Sequence, residues 1–136
     1  MDSLRAACLC AQACEDLRGR ETLVLDLRKI TPLFDFFVIS TGTSPRQARA
    51  LIDAAQEALR LAHVANPPVV KRNSTHRSRT EGYESGDWIV QDYGDIVLHV
   101  FQAEKRTLYD LEHLWGDAPR VAWQAQIAKM SEAALA

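Results

Sequence analysis

Apolar residues recur along residues 3–17 at the spacing of one helical face. Leu4, Ala7, Cys8, Ala11, Cys14 and Leu17 share a stripe, and Gly19 follows as a stop. The period then changes. TLVLDLR (22–28) and DFFVIST (35–41), separated by Pro32, are strand candidates, and Phe36, Phe37, Val38 and Ile39 are apolar without alternation. A strand apolar on both faces belongs inside a sheet covered on both sides. Helical spacing returns with Ala48, Leu51, Ile52, Ala55, Leu59 and Ala62. Ser44, Pro45 and Gln47 precede them as N-cap, first helical position and capping-box partner.

Residues 66–80 carry Asn-Pro-Pro, a short strand candidate at Val69–Val70 and the polar run KRNSTHRSR, and they read as a loop. EGYESGDWIVQDYGDIVLHVF (81–101) predicts a β-hairpin. A three-residue Asp92-Tyr93-Gly94 loop with a left-handed Gly94 would pair Gln91 with Asp95. That register places Trp88, Val90, Ile96, Leu98 and Val100 on one face and Ile89, Val97, His99 and Phe101 on the other. KRTLYDLEHLW (105–115) predicts a third helix with Leu108, Leu111, Leu114 and Trp115 inward, capped by Gly116 and ended by Pro119. The expected fold class is α/β: a single domain over residues 1–119, its mixed β-sheet flanked by helices. A tail over 120–136, a short or frayed helix, follows it.

Composition adds one asymmetry. The formal charge is −2, but residues 71–79 hold four of the 16 Lys and Arg and no acid. The rest of the chain carries 12 bases against 18 acids, so an acidic body should favour a basic partner. Cys8, Cys10 and Cys14 lie in one predicted helix with no other Cys to pair with, which predicts buried reduced thiols and a cytoplasmic protein. No apolar run approaches the ~20 residues of a membrane span.

Catalytic chemistry finds little support. The turn Ser40-Thr41-Gly42-Thr43-Ser44 opens a helix and has the makings of an anion site, with Arg46 and Arg49 nearby, but it lacks the Lys-Ser/Thr pair of a P-loop. Asp26, Asp35, Asp92 and Asp95 form no same-face pair for a metal. His99 is the best candidate base, yet no nucleophile can be tied to it; His63, His76 and His113 do not make a zinc pattern. No catalytic residue, metal or cofactor is therefore expected. Trp88, with Asp92, Tyr93 and Asp95 beside it, has instead the composition of an interface anchor facing a basic patch, although a core role suits the indole equally.

Several motifs together carry a family likeness. They are Glu81-Gly82, Asp87-Trp88, Asp92-Tyr93-Gly94-Asp95, His99-Val100-Phe101, Arg106, Tyr109, Leu111-Glu112 and Leu114-Trp115, with DFFVISTGTS upstream. Residues 4 to about 119 resemble the ribosomal silencing factor family, also called Iojap-like. The resemblance implies a nucleotidyltransferase-like fold without catalytic acids. It also implies a translation inhibitor that binds the fourteenth large-subunit ribosomal protein and blocks joining of the subunits. Trp88, Asp92, Tyr93, Asp95 and His99 are the contact residues expected from it. The stretch from His63 to Thr80 is longer than the family pattern; its basic run is either a contact to ribosomal RNA or a disordered insertion. The competing readings are a nucleotidyltransferase-like enzyme, with phosphate on the Gly42–Ser44 turn and Mg²⁺ on Asp26, Asp35 or Asp92, and a self-associating adaptor. A monomer and a homodimer both stay open.

Overall fold

The computed structural model describes residues 2–65 and 79–135. Along them run α1 (Ser3–Asp16), β1 (Arg20–Asp26), β2 (Phe36–Gly42), α2 (Pro45–Ala65), β3 (Arg79–Glu81), β4 (Trp88–Asp92), β5 (Ile96–Gln102), α3 (Ala103–Tyr109), α4 (Leu111–Leu114) and α5 (Trp123–Leu135). The strands form one sheet in the order β1-β2-β5-β4-β3. Among the described residues only β2 and β5 pair in parallel, so this is the mixed α/β sheet that the sequence predicts. All seven residues of β2 are buried, as its unbroken apolar run requires. The Val69–Val70 strand candidate and nearly all of the basic run lie outside the described residues.

Helices α1, α2 and α5 share one face of the sheet with Val24, Phe36, Val38, Ile89, Leu98 and Val100. Helix α1 sits between α2 and α5 and rests on β1 and β2, which buries Ala7, Cys8, Ala11 and Cys14 of the predicted stripe together with Cys10 and Ala13, while Leu4 is partly buried and Leu17 is exposed at the helix end. Its end is a Schellman turn: Gly19 N–H donates to the Cys14 carbonyl at 2.8 Å and Arg18 N–H to that of Glu15 at 2.9 Å. The left-handed position is Arg18 (φ 65°), not Gly19. Gly19 is needed for space instead, because a Cβ there would lie 2.4 Å from Ser40 Oγ. The tail joins the same layer, where Trp123 is buried and its Nε1 donates to the Thr22 carbonyl at 3.0 Å.

The hairpin register differs from the expected one. Gln91 pairs with Leu98, not Asp95, and Trp88 with Phe101. Tyr93 N–H donates to the Ile96 carbonyl at 3.0 Å, which leaves Gly94 and Asp95 as a two-residue turn with positive φ (97°) at Gly94. The slip is three residues, and an odd slip exchanges faces. Trp88 and Val90 therefore lie with Val97, His99 and Phe101, while Ile89 lies with Ile96, Leu98 and Val100. A further strand, β3, occupies Arg79–Glu81, at the end of the stretch read as loop.

Among the described residues the other sheet face is covered by the short α3 and α4, with Leu27, Phe34, Trp115 and Ala118 from the adjoining loops. Residues 105–115 do not form one helix: Asp110 takes φ 45°, ψ 52° and separates the two pieces. Leu111 is buried and Trp115 partly so, but Leu108 and Leu114 face solvent, against the expectation that all four turn inward. Gly116 N–H bonds the His113 carbonyl at 3.0 Å without a left-handed φ.

Candidate functional site

Trp88 is half-buried where β4 begins, and the corrected register sets it across from Phe101 and diagonal to His99. Its ring stacks on Phe101 (centroids 4.9 Å apart, planes at 24°) and meets Tyr109 of α3 at 4.6 Å. The indole Nε1 donates to His99 Nδ1 at 3.2 Å. His99 is 6 % exposed and lies edge-on to Phe37 at 4.7 Å. Burial pushes its pKa down to about 4, so the ring is neutral at physiological pH. Because Nδ1 accepts, the ring proton belongs on Nε2, which has no partner among the described residues. His99 thus fixes the indole from beneath.

The other expected contact residues lie elsewhere. Asp92 is four residues along β4 from Trp88, ~13 Å at strand rise. Its Oδ1 accepts from Gly94 N–H at 2.8 Å, as a turn aspartate does. Asp95 is exposed at the same tip. Tyr93 packs against the opposite face, with its hydroxyl buried and without a partner among the described residues. Burial, and then the Cys10 and Cys14 thiols, push its pKa up. Trp88 with His99 and Asp92 with Asp95 are therefore two separate features of one hairpin; the acid adjoining Trp88 is the exposed Asp87.

At the Gly42–Ser44 turn, hydrogen-bond donors are taken up by the turn's own chain. Ser44 Oγ accepts from Gln47 N–H at 3.1 Å, the predicted cap. The return bond falls one residue early: Thr43 N–H (2.6 Å) and Oγ1 (2.5 Å) both donate to Gln47 Oε1. Arg49 turns away to the Tyr83 and Glu84 carbonyls. Asp26, Asp35 and Asp92 sit at the far end of the sheet, since Asp26 pairs with Phe36 at the start of β2 and Gly42 ends it. That separation is ~20 Å. Phosphate and metal ligands are not brought together, and among the described residues no group of three or more His, Cys, Asp or Glu is placed to hold a metal ion. No helix there is long and apolar enough to cross a membrane.

Arg106 and Tyr109 belong to the motifs quoted above, but their roles were not legible in sequence. Arg106 is 6 % exposed; its Nε donates to Glu112 Oε1 at 2.7 Å and its Nη1 to Thr41 Oγ1 at 2.7 Å. Arg106 and Glu112 are six apart, a spacing that puts them together only because the helix breaks at Asp110. Tyr109 reaches Trp88 from the first piece.

Residues 1–135 match the family model described as ribosomal silencing factor during starvation. The ribosomal silencing factor RsfS of Chromobacterium violaceum is 39% identical over 108 residues, covering 79% of this chain and 80% of that protein. The RsfS of Bacillus subtilis is 36% identical over 115 residues, 82% of this chain and 85% of that one. The X-ray crystal structure of a Chromobacterium violaceum protein superposes with a TM-score of 0.72 at 35% identity, covering 85% of this chain and 88% of that one.

Proposed function

The chain belongs to the ribosomal silencing factor family, and from that premise we propose that it silences translation in the cytoplasm by docking on the fourteenth large-subunit ribosomal protein and so keeping the small subunit from joining. The observation that carries this reading is the half-buried indole of Trp88, held in one orientation by the buried His99 and by two aromatic neighbours. An ordered aromatic ring loses little freedom on binding, which is what makes such residues anchors. Asp87 beside it, and Asp92 and Asp95 at the hairpin tip, give the surface the negative sign that a basic partner requires. His99 contributes by positioning Trp88, and Tyr93 by bracing the hairpin from the other face. No bond is made or broken, so inhibition should follow occupancy.

Calorimetric titration of the isolated ribosomal protein tests this. Trp88→Ala should weaken binding by ~2 kcal/mol, about thirtyfold. Trp88→Phe keeps an aromatic stack on Phe101 and should lose less. Equal affinity in wild type and Trp88→Ala would remove the anchor, and no binding by the wild type would remove the partner. Because the ring also packs inward, a circular dichroism spectrum at the assay temperature accompanies each variant.

A further inference from the structure

The segment from Lys105 to Trp115 has the apolar spacing of one amphipathic helix, yet the fold breaks it. Asp110 takes a left-handed conformation that L-residues enter at a cost. A buried guanidinium spans the break: Arg106 holds Glu112 across it and also reaches Thr41 Oγ1 and the Arg20 carbonyl on the sheet. The outcome is that Leu108 is 69%, Leu114 73% and Tyr109 50% exposed. A chain that overrides its local pattern with a strained residue and a buried charge, and thereby leaves two leucines in water, points to use of those leucines.

Both pieces rest on the face that carries the Trp88 cluster. Tyr109 lies 4.6 Å from the Trp88 ring, and Trp115 meets the Phe37 ring edge-on at 5.6 Å. Each exposed leucine is next in sequence to one of these aromatics. We propose that α3 and α4 form a second contact arm, in which Leu108, Tyr109 and Leu114 bury against the same ribosomal protein that Trp88 meets. The inference rests on the docking reading above and extends it. The arm also states the chemistry of the matching patch: with Arg106 and Glu112 paired to each other, the exposed Glu104, Asp110 and Asp117 stand against Lys105, so the partner should offer an apolar patch with a basic rim.

The test is the double variant Leu108→Ser/Leu114→Ser, in the full chain, titrated with the isolated ribosomal protein and sedimented alone. Both side chains are exposed, so the melting temperature should stay at the wild-type value while affinity falls about tenfold or more, as for a loss of ~1.4 kcal/mol. Wild-type binding with the double variant within about twofold of it, well under 1 kcal/mol, would overturn the arm and leave the docking reading intact. Loss of a homodimer with unchanged partner binding would also overturn it, by giving the leucines to a second copy of the chain. If the wild type itself fails to bind, the docking reading falls and takes the arm with it.

Discussion

Lowering the pH from 7.5 to 4.5 should weaken the fold through a single imidazole. Burial takes the pKa of His99 from 6.5 down to about 4. The unfolded chain therefore takes up a proton near pH 6.5 and the folded chain only near pH 4. Between those values the unfolded state binds more protons, so stability falls as pH falls. Above pH 6.5 nothing is lost; each unit below it removes ~1.4 kcal/mol, and ~3 kcal/mol has gone by pH 4. In a domain of this size that is a fall of roughly 10 °C in Tm. The rings that face His99 are Phe37, Trp88 and Phe101, none of them charged. Asp26, whose bond to Arg28 holds its pKa below 3.8, contributes stability that is lost only below this window. A protonated Nδ1 also cannot accept from the Trp88 indole, so the anchor loosens with the fold. Urea titrations followed by circular dichroism at pH 7.5, 6.5, 5.5 and 4.5 measure the slope in wild type and in His99→Phe. The wild type should lose stability below pH 6.5 and the variant should stay nearly level. The same slope in both proteins would refute a buried neutral His99.

Three further outcomes follow from the geometry. Ser44→Ala removes only a helix cap and should cost ~1 kcal/mol in a urea titration, while calorimetry with ATP and Mg²⁺ should show no micromolar binding to the wild type; such binding, lost on changing Ser44 and Arg46, would restore a phosphate site. Cys8, Cys10 and Cys14 are buried, with burial pushing Cys8 up to about 11 and Cys14 to about 12. A disulfide reagent at pH 8 should therefore find no reactive thiol until the protein is denatured and then titrate all three. Arg106→Ala leaves Glu112, itself one-quarter exposed, without its partner; the loss should be about 3 kcal/mol, at the low end for a buried pair, read as a lower urea midpoint.

Where several signals agreed, the sequence was enough. β2 is apolar on both faces and is buried on both, and α2 combines a cap, a first-turn proline and a long stripe. In the hairpin the strands are legible but the turn is not: moving the turn from Asp92-Tyr93-Gly94 to Gly94-Asp95 changes the register by an odd number. That alone separated Trp88 from the His99 it touches. β3 is three residues long and wholly exposed, held as an edge by backbone pairing to β4, so no hydrophobic pattern announces it. The break at Asp110 is accompanied by a contact from Arg106 to Thr41, 65 positions away in the chain, which no local window contains. The aromatic shelf under Trp88 is therefore not visible in the sequence, although each of its residues is.

Occupation of the subunit-joining face is the claim on which the rest stands, and it can be measured in a sucrose gradient. Purified large and small subunits are mixed under joining conditions with increasing amounts of the protein. The expected result is a dose-dependent loss of joined ribosomes, with the protein travelling on the large subunit and Trp88→Ala displaced toward higher doses. Full joining at saturating protein, or protein travelling on the small subunit, would contradict it.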